Sequence, residues 1–146
     1  KHPEQITIQV LHAKIVAQQN PTKAYKQLST LLDLYEDDDR LTIALAEIAL
    51  QANQPKNALL HLDSYVQQQK DNPTAYQLMM KAESKLNNPL GLHQANATWH
   101  LLMGNLAEAK YQVELALKYT KDKLTIAQLE KQRKEIEKEI LAQKKI

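Results

Sequence analysis

Three phrases punctuate this chain with the same sense: Gln19-Asn20-Pro21-Thr22-Lys23-Ala24, Asn53-Gln54-Pro55-Lys56-Asn57-Ala58 and Gly104-Asn105-Leu106-Ala107-Glu108-Ala109. Each is a polar turn that ends on an alanine, with an apolar helical stretch before it and another after it. Ala24 and Ala58 stand 34 residues apart, the spacing of a helical-hairpin repeat. From Ala58 to Ala109 the distance is 51 residues, one period and a half. A hairpin of this size cannot bury its apolar face alone, so it must stack on its neighbours. Stacked hairpins present a curved surface suited to holding another protein, and they seldom perform chemistry themselves.

Composition supports helices throughout. The 146 residues fit one domain and contain only two glycines, with Gln, Lys, Leu and Ala abundant. Phenylalanine is absent, which leaves Leu, Ile, Ala, Val, Met and Tyr to build the core. Without cysteine there is neither a disulfide framework nor a thiolate metal site. The net charge of +2 names no partner, yet its distribution is uneven. Residues 1–117 carry 10 Lys/Arg against 12 Asp/Glu, whereas residues 118–146 carry 9 against 5. No apolar run approaches the ~20 residues that span a bilayer, so membrane insertion is not expected. The chain opens Lys1-His2-Pro3-Glu4 with no signal-peptide pattern, and it reads as a fragment or a processed product.

Periodicity places the elements. A first helix is expected over residues 3–18, with Ile8, Leu11, Ile15 and Val16 as its apolar stripe. The second carries Ala24, Leu28, Leu31, Leu32 and Tyr35 on one side. The acidic run Asp37-Asp38-Asp39 makes a loop and caps the third helix, where negative charge suits exposed N–H groups. That helix turns Leu41, Leu45, Ile48 and Ala49 inward, and the fourth turns Ala58, Leu59, Leu62 and Val66 inward. A helix over 73–86 stands outside the phase and accounts for the extra half period. A long charged helix over 124–144 closes the chain on Leu124, Leu129, Ile136 and Ile140, with a solvated outer face. The expected organisation is one domain, 1–146. It comprises repeat one (1–36), repeat two (40–70), an extra helix (73–86), repeat three (90–120) and a capping helix (123–144).

The spacing and these positions resemble the tetratricopeptide repeat, a two-helix unit. Ile8, Leu11, Ile15, Ala24, Leu28 and Leu31 match in the first unit, with His12 where a small residue is usual. Thr42, Leu45, Ala46, Ala49, Ala58 and Leu62 match in the second, with Tyr65 replacing its last small residue. The third matches at Ala97, Gly104, Ala109, Val113 and Ala116. The expected fold is therefore all-α: a tetratricopeptide-like helical-hairpin solenoid, an α-α superhelix, with a C-terminal capping helix.

A second resemblance begins at residue 71. It rests on Asp71-Asn72-Pro73, residues 81–88 (Lys81 to Asn88), residues 92–97 (Leu92 to Ala97) and residues 102–109 (Leu102 to Ala109). These are similar to the C-terminal repeat region of the periplasmic β-barrel assembly-enhancing zinc metalloproteases. The resemblance implies a periplasmic location and a parent with a zinc-bearing catalytic half. It also implies a repeat arm that recruits substrate or an outer-membrane assembly partner. A free-standing repeat adaptor and helices that complete a missing enzyme's cleft are the alternatives. No cofactor is expected in this chain, because no His-Glu-x-x-His occurs in it.

His93 and His100 lie seven residues apart, about 10 Å along a helix, too far to share one zinc. Ser29, Ser64 and Ser84 sit within helices without an adjacent base. Lys131, Arg133, Lys134 and Lys138 alternate with Glu130, Glu135, Glu137 and Glu139. That is a salt-bridged helix surface rather than a nucleic-acid platform. Trp99, the sole tryptophan, is expected to pack between helices. Phase places Gln9, Ala13, Arg40, Ile43, Glu47, Gln77, Lys81, Gln94 and Thr98 on the inner surface. Arg40 and Lys81 would hold a partner's carboxylate or carbonyls, and Glu47 a basic side chain. The partner expected is a protein or an unfolded substrate segment; the sequence leaves oligomeric state open.

Overall fold

The computed structural model describes residues 3–36 and 38–145. Asp37 of the expected capping run lies outside them. Eight helices and no strand are present among the described residues: α1 (Pro3–Ala17), α2 (Pro21–Leu34), α3 (Asp39–Gln51), α4 (Pro55–Gln68), α5 (Pro73–Lys85), α6 (Pro89–Leu102), α7 (Leu106–Leu117) and α8 (Lys123–Lys144). The all-α helical-hairpin class holds.

Local chemistry sets these boundaries. Proline opens α2, α4 and α6, where its missing N–H costs nothing because the first turn has no acceptor for it. Side-chain caps satisfy other first-turn donors. Asn20 accepts from the Lys23 N–H at 3.1 Å, Asp38 from the Arg40 N–H at 2.9 Å and Asp122 from the Thr125 N–H at 3.0 Å.

Three helices end alike. Asn53, Asn87 and Gly104 take left-handed backbone conformations, with φ of 58°, 53° and 81°. The N–H after each reaches back five residues: Gln54 to the Ala49 carbonyl at 2.8 Å, Asn88 to Glu83 at 3.0 Å, Asn105 to His100 at 2.8 Å. The turn before Pro21 differs; there the Asn20 N–H bonds the Val16 carbonyl at 2.8 Å.

Pro21, Pro55 and Pro89 all open second helices, and they stand 34 residues apart. The 34-residue spacing of these prolines therefore runs to residue 89, and the helix expected at 73–86 is α5 (Pro73–Lys85). The half-period step falls after α6, at Gly104, and the repeat placed at 90–120 is α6 with α7. Asn87-Asn88-Pro89 makes the same backbone hydrogen bonds as Asn53-Gln54-Pro55.

Contacts divide the chain, expected as one domain, into two compact units, residues 1–78 and 79–146, with the boundary inside α5. Nearest-neighbour packing permits such a division without a linker. In the first unit α1 packs on α2, α2 on α3 and α3 on α4, and the first helices α1 and α3 also touch. Leu28, Leu41, Leu45, Ile48 and Leu62 are fully buried there. The inward set read for α3 is correct. On α4, Ala58 and Leu62 are buried and Leu59 and Val66 half-buried.

The stripe read for α1 is not the packed one. Ile8, Leu11 and Ile15 are 64%, 55% and 65% exposed, while Ile6, Val10, Ala13 and Ala17 are buried against α2 and α3. α1 is apolar on two opposite faces. The face that meets two helices at once is the one with alanines, since small side chains let both approach closely. Ala13, expected on the inner surface, belongs to this core.

In the second unit α6 packs on α7 and α7 on α8. Ala97, Ala109, Val113, Ala116, Leu129 and Ile136 form its core, with Ile140 partly buried beside them. Leu124 is 67% exposed and lies off the seam, because it sits on nearly the opposite side of the helix from Leu129. Lys110 of α7 reaches Glu137 of α8 at 3.6 Å, and Arg133 pairs with Glu130 and Glu137 along α8.

Candidate functional site

The stack of α1, α3 and α4 leaves a cleft in the first unit. Thr7, Val10, Leu11 and Lys14 of α1 form one wall, and Asp39, Arg40, Ile43, Ala44 and Glu47 of α3 form the other. Tyr65 of α4 and Asn72 close it. Its volume is about 420 Å³, with an apolar floor of Val10, Leu11, Ile43, Ala44 and Tyr65. Helical spacing explains the walls: 7, 10, 11 and 14 share one side of α1, and 40, 43, 44 and 47 one side of α3. Tyr65 is held by its phenol oxygen, which accepts a hydrogen bond from the Asn72 side-chain amide at 2.9 Å.

Charge on the rim is unevenly paired. The Arg40 guanidinium donates through Nε and Nη2 to both oxygens of Asp38, at 3.2 and 2.9 Å, and through Nη1 to the Thr7 hydroxyl at 2.7 Å. This ties α3's first turn to α1. It also holds the Asp38 carboxyl below the usual carboxylate range, chiefly through the Arg40 hydrogen bond, and raises Arg40 in return. The guanidinium expected to grip a partner's carboxylate is thus held within the protein. Asp39 and Glu47 face the cleft with no ion pair among the described residues.

Within the first unit the sequence-predicted inner-surface residues fall in more than one place. Arg40, Ile43 and Glu47 share the cleft. Gln9 lines a separate hollow of about 410 Å³ with His12, Ala13, Gln27, Leu28 and Thr30. Gln77 is exposed on α5 in the first unit. Lys81, also exposed on α5, belongs to the second unit, as do the half-buried Gln94 and Thr98 of α6. The Thr98 hydroxyl donates to the Gln94 carbonyl at 3.2 Å. The cleft's contributors from α1, with Tyr65 and Asn72, were missed. Tyr65 carried a signal, being the bulky residue at a position the repeat usually fills with a small one.

The histidines are engaged structurally. His93 Nδ1 lies 2.7 Å from the Gln112 side-chain oxygen, and its ring stacks on Tyr119 at 5.6 Å. His100 accepts from the Asn105 amide at 3.4 Å and meets Trp99 edge-on at 5.0 Å. His61 Nε2 lies 2.8 Å from the Tyr25 hydroxyl, joining α4 to α2. Burial lowers the His61 pKa and so favours the neutral ring at this contact. Trp99 is half-buried. Among the described residues no group of three or more His, Asp or Glu side chains is placed to hold a metal ion. Nor is any helix there long and apolar enough to cross a membrane.

No curated protein matches the chain. Residues 16–83, from the last turn of α1 through most of α5, match the family model of the tetratricopeptide repeat.

Proposed function

We propose that this chain is a protein-binding scaffold and that the cleft between α1, α3 and α4 is where it holds its partner. The observation that carries the reading is the apolar floor of Val10, Leu11, Ile43 and Tyr65, open to solvent and rimmed by charge. Such a floor takes an apolar side chain from an extended segment, and the rim selects what flanks it.

The finer reading is that these residues form the non-catalytic C-terminal repeat arm of a periplasmic zinc metalloprotease. The arm would recruit unfolded barrel substrate or an outer-membrane assembly partner. It rests on the resemblance from residue 71 onward. In this reading the zinc belongs to the parent's separate catalytic half. A signal peptide followed by His-Glu-x-x-His upstream of Lys1 in the gene supports this reading. A start codon close to Lys1, or further repeats alone, leaves a free-standing adaptor. Loss of cleavage of even a small unstructured peptide on deleting residues 1–146 favours helices that complete an enzyme's cleft.

The cleft itself is tested with Ile43→Asp, which places a charge on the apolar floor at a half-buried position. Binding of an unfolded outer-membrane barrel chain is expected to weaken about tenfold or more, because an unpaired charge then faces the anchor. Unaltered binding by a variant whose helicity is intact removes the cleft as the partner site.

A further inference from the structure

We infer that the segment held in the cleft is basic beside its apolar anchor, not acidic. The inference rests on the cleft being the partner site and goes on to name the partner's chemistry. Asp39 and Tyr65 line the apolar cleft and also a neighbouring recess of about 240 Å³, which adds Glu36, Thr42, Ser64 and two glutamines. An extended segment that seats an apolar side chain between Leu11, Ile43 and Tyr65 therefore runs past Asp39 into a polar recess.

The charges along that path are mostly carboxylates. Arg40 is compensated by the two oxygens of Asp38. Glu36, Asp39 and Glu47 make no ion pair among the described residues, and against them the path offers Lys14 as its remaining cation. Lysine or arginine one to three positions from the anchor meets attraction there, and aspartate or glutamate meets repulsion. Each exposed pair changes affinity by roughly twofold to fivefold, less in high salt.

The test uses the full chain and three fluorescein-labelled unstructured peptides that share one leucine, followed by Lys-Gln-Lys, Gln-Gln-Gln or Glu-Gln-Glu. Fluorescence polarisation is expected to rank them basic, neutral, acidic, with the spread narrowing at high salt. The double variant Asp39→Asn, Glu47→Gln, its fold checked by thermal melting, is expected to lose the preference for the basic peptide over the acidic one. Equal affinities, or preference for the acidic peptide, overturn the inference alone when Ile43→Asp still weakens binding. Binding of none of the three, or binding that ignores Ile43→Asp, removes the cleft reading and the inference together.

Discussion

Asp38 performs two tasks at one position. Its carboxylate caps α3 through the Arg40 and Leu41 N–H groups and anchors the Arg40 side chain, which in turn reaches Thr7 on α1. Asp38→Ala is expected to cost about 1 kcal/mol, the usual worth of an N-cap, read as a lower urea midpoint. Because the folded carboxyl titrates below its unfolded value, this stabilisation is complete above about pH 4 and is lost as pH falls through the depressed pKa. His61 acts in the same direction at a higher pH. Its folded pKa is lowered by burial, so the unfolded chain binds the extra proton first. Stability contributed by the neutral ring is full above about pH 6.5 and declines as pH falls below it. His61→Gln, which keeps a hydrogen-bonding side chain beside Tyr25, is expected to flatten the fall in melting temperature between neutral and mildly acid pH. An unchanged slope would place that pH dependence elsewhere.

At the scale of the element, α1 is the informative case. Its sequence offers two apolar stripes, Ile8-Leu11-Ile15 and Ile6-Val10-Ala13-Ala17, and hydrophobicity alone ranks the bulkier one first. Packing chose the other. Ala13→Leu is therefore expected to destabilise by about 1–3 kcal/mol through overpacking, whereas Ile8→Gln should stay within ~0.5 kcal/mol. Denaturant midpoints of the two variants separate the stripes directly. The turns offer a second check. Asn53 sits in the left-handed region, which a β-branched side chain resists, so Asn53→Val is expected to cost roughly 1–3 kcal/mol and Asn53→Gly almost nothing. Elements whose apolar residues lie on a single face were legible: Leu41, Leu45, Ile48 and Ala49 of α3 are all buried as read. α8 was legible at Leu129 and Ile136, which are buried, and not at Leu124, where only the partner helix decides how far the seam extends.

Across the whole molecule, each unit depends on its own buried side chains. Leu45→Ala in the first and Ile136→Ala in the second are each expected to cost about 2–5 kcal/mol, measured by denaturant unfolding, since both are enclosed by neighbouring helices. The repeat length, the helical class and the positions of the turns were determined by the sequence itself. Proline, asparagine and glycine act on the backbone within a few residues, and a 34-residue period needs no distant partner to be read. Of the cleft, Arg40, Ile43 and Glu47 were legible from the phase of α3 alone. Tertiary structure decided the rest: which face of α1 turns inward, that Arg40 is held by Asp38, and that Leu11, Tyr65 and Asn72 meet across the cleft. Those outcomes depend on how closely neighbouring helices approach, and helical phase fixes the direction of a side chain but not what stands opposite it.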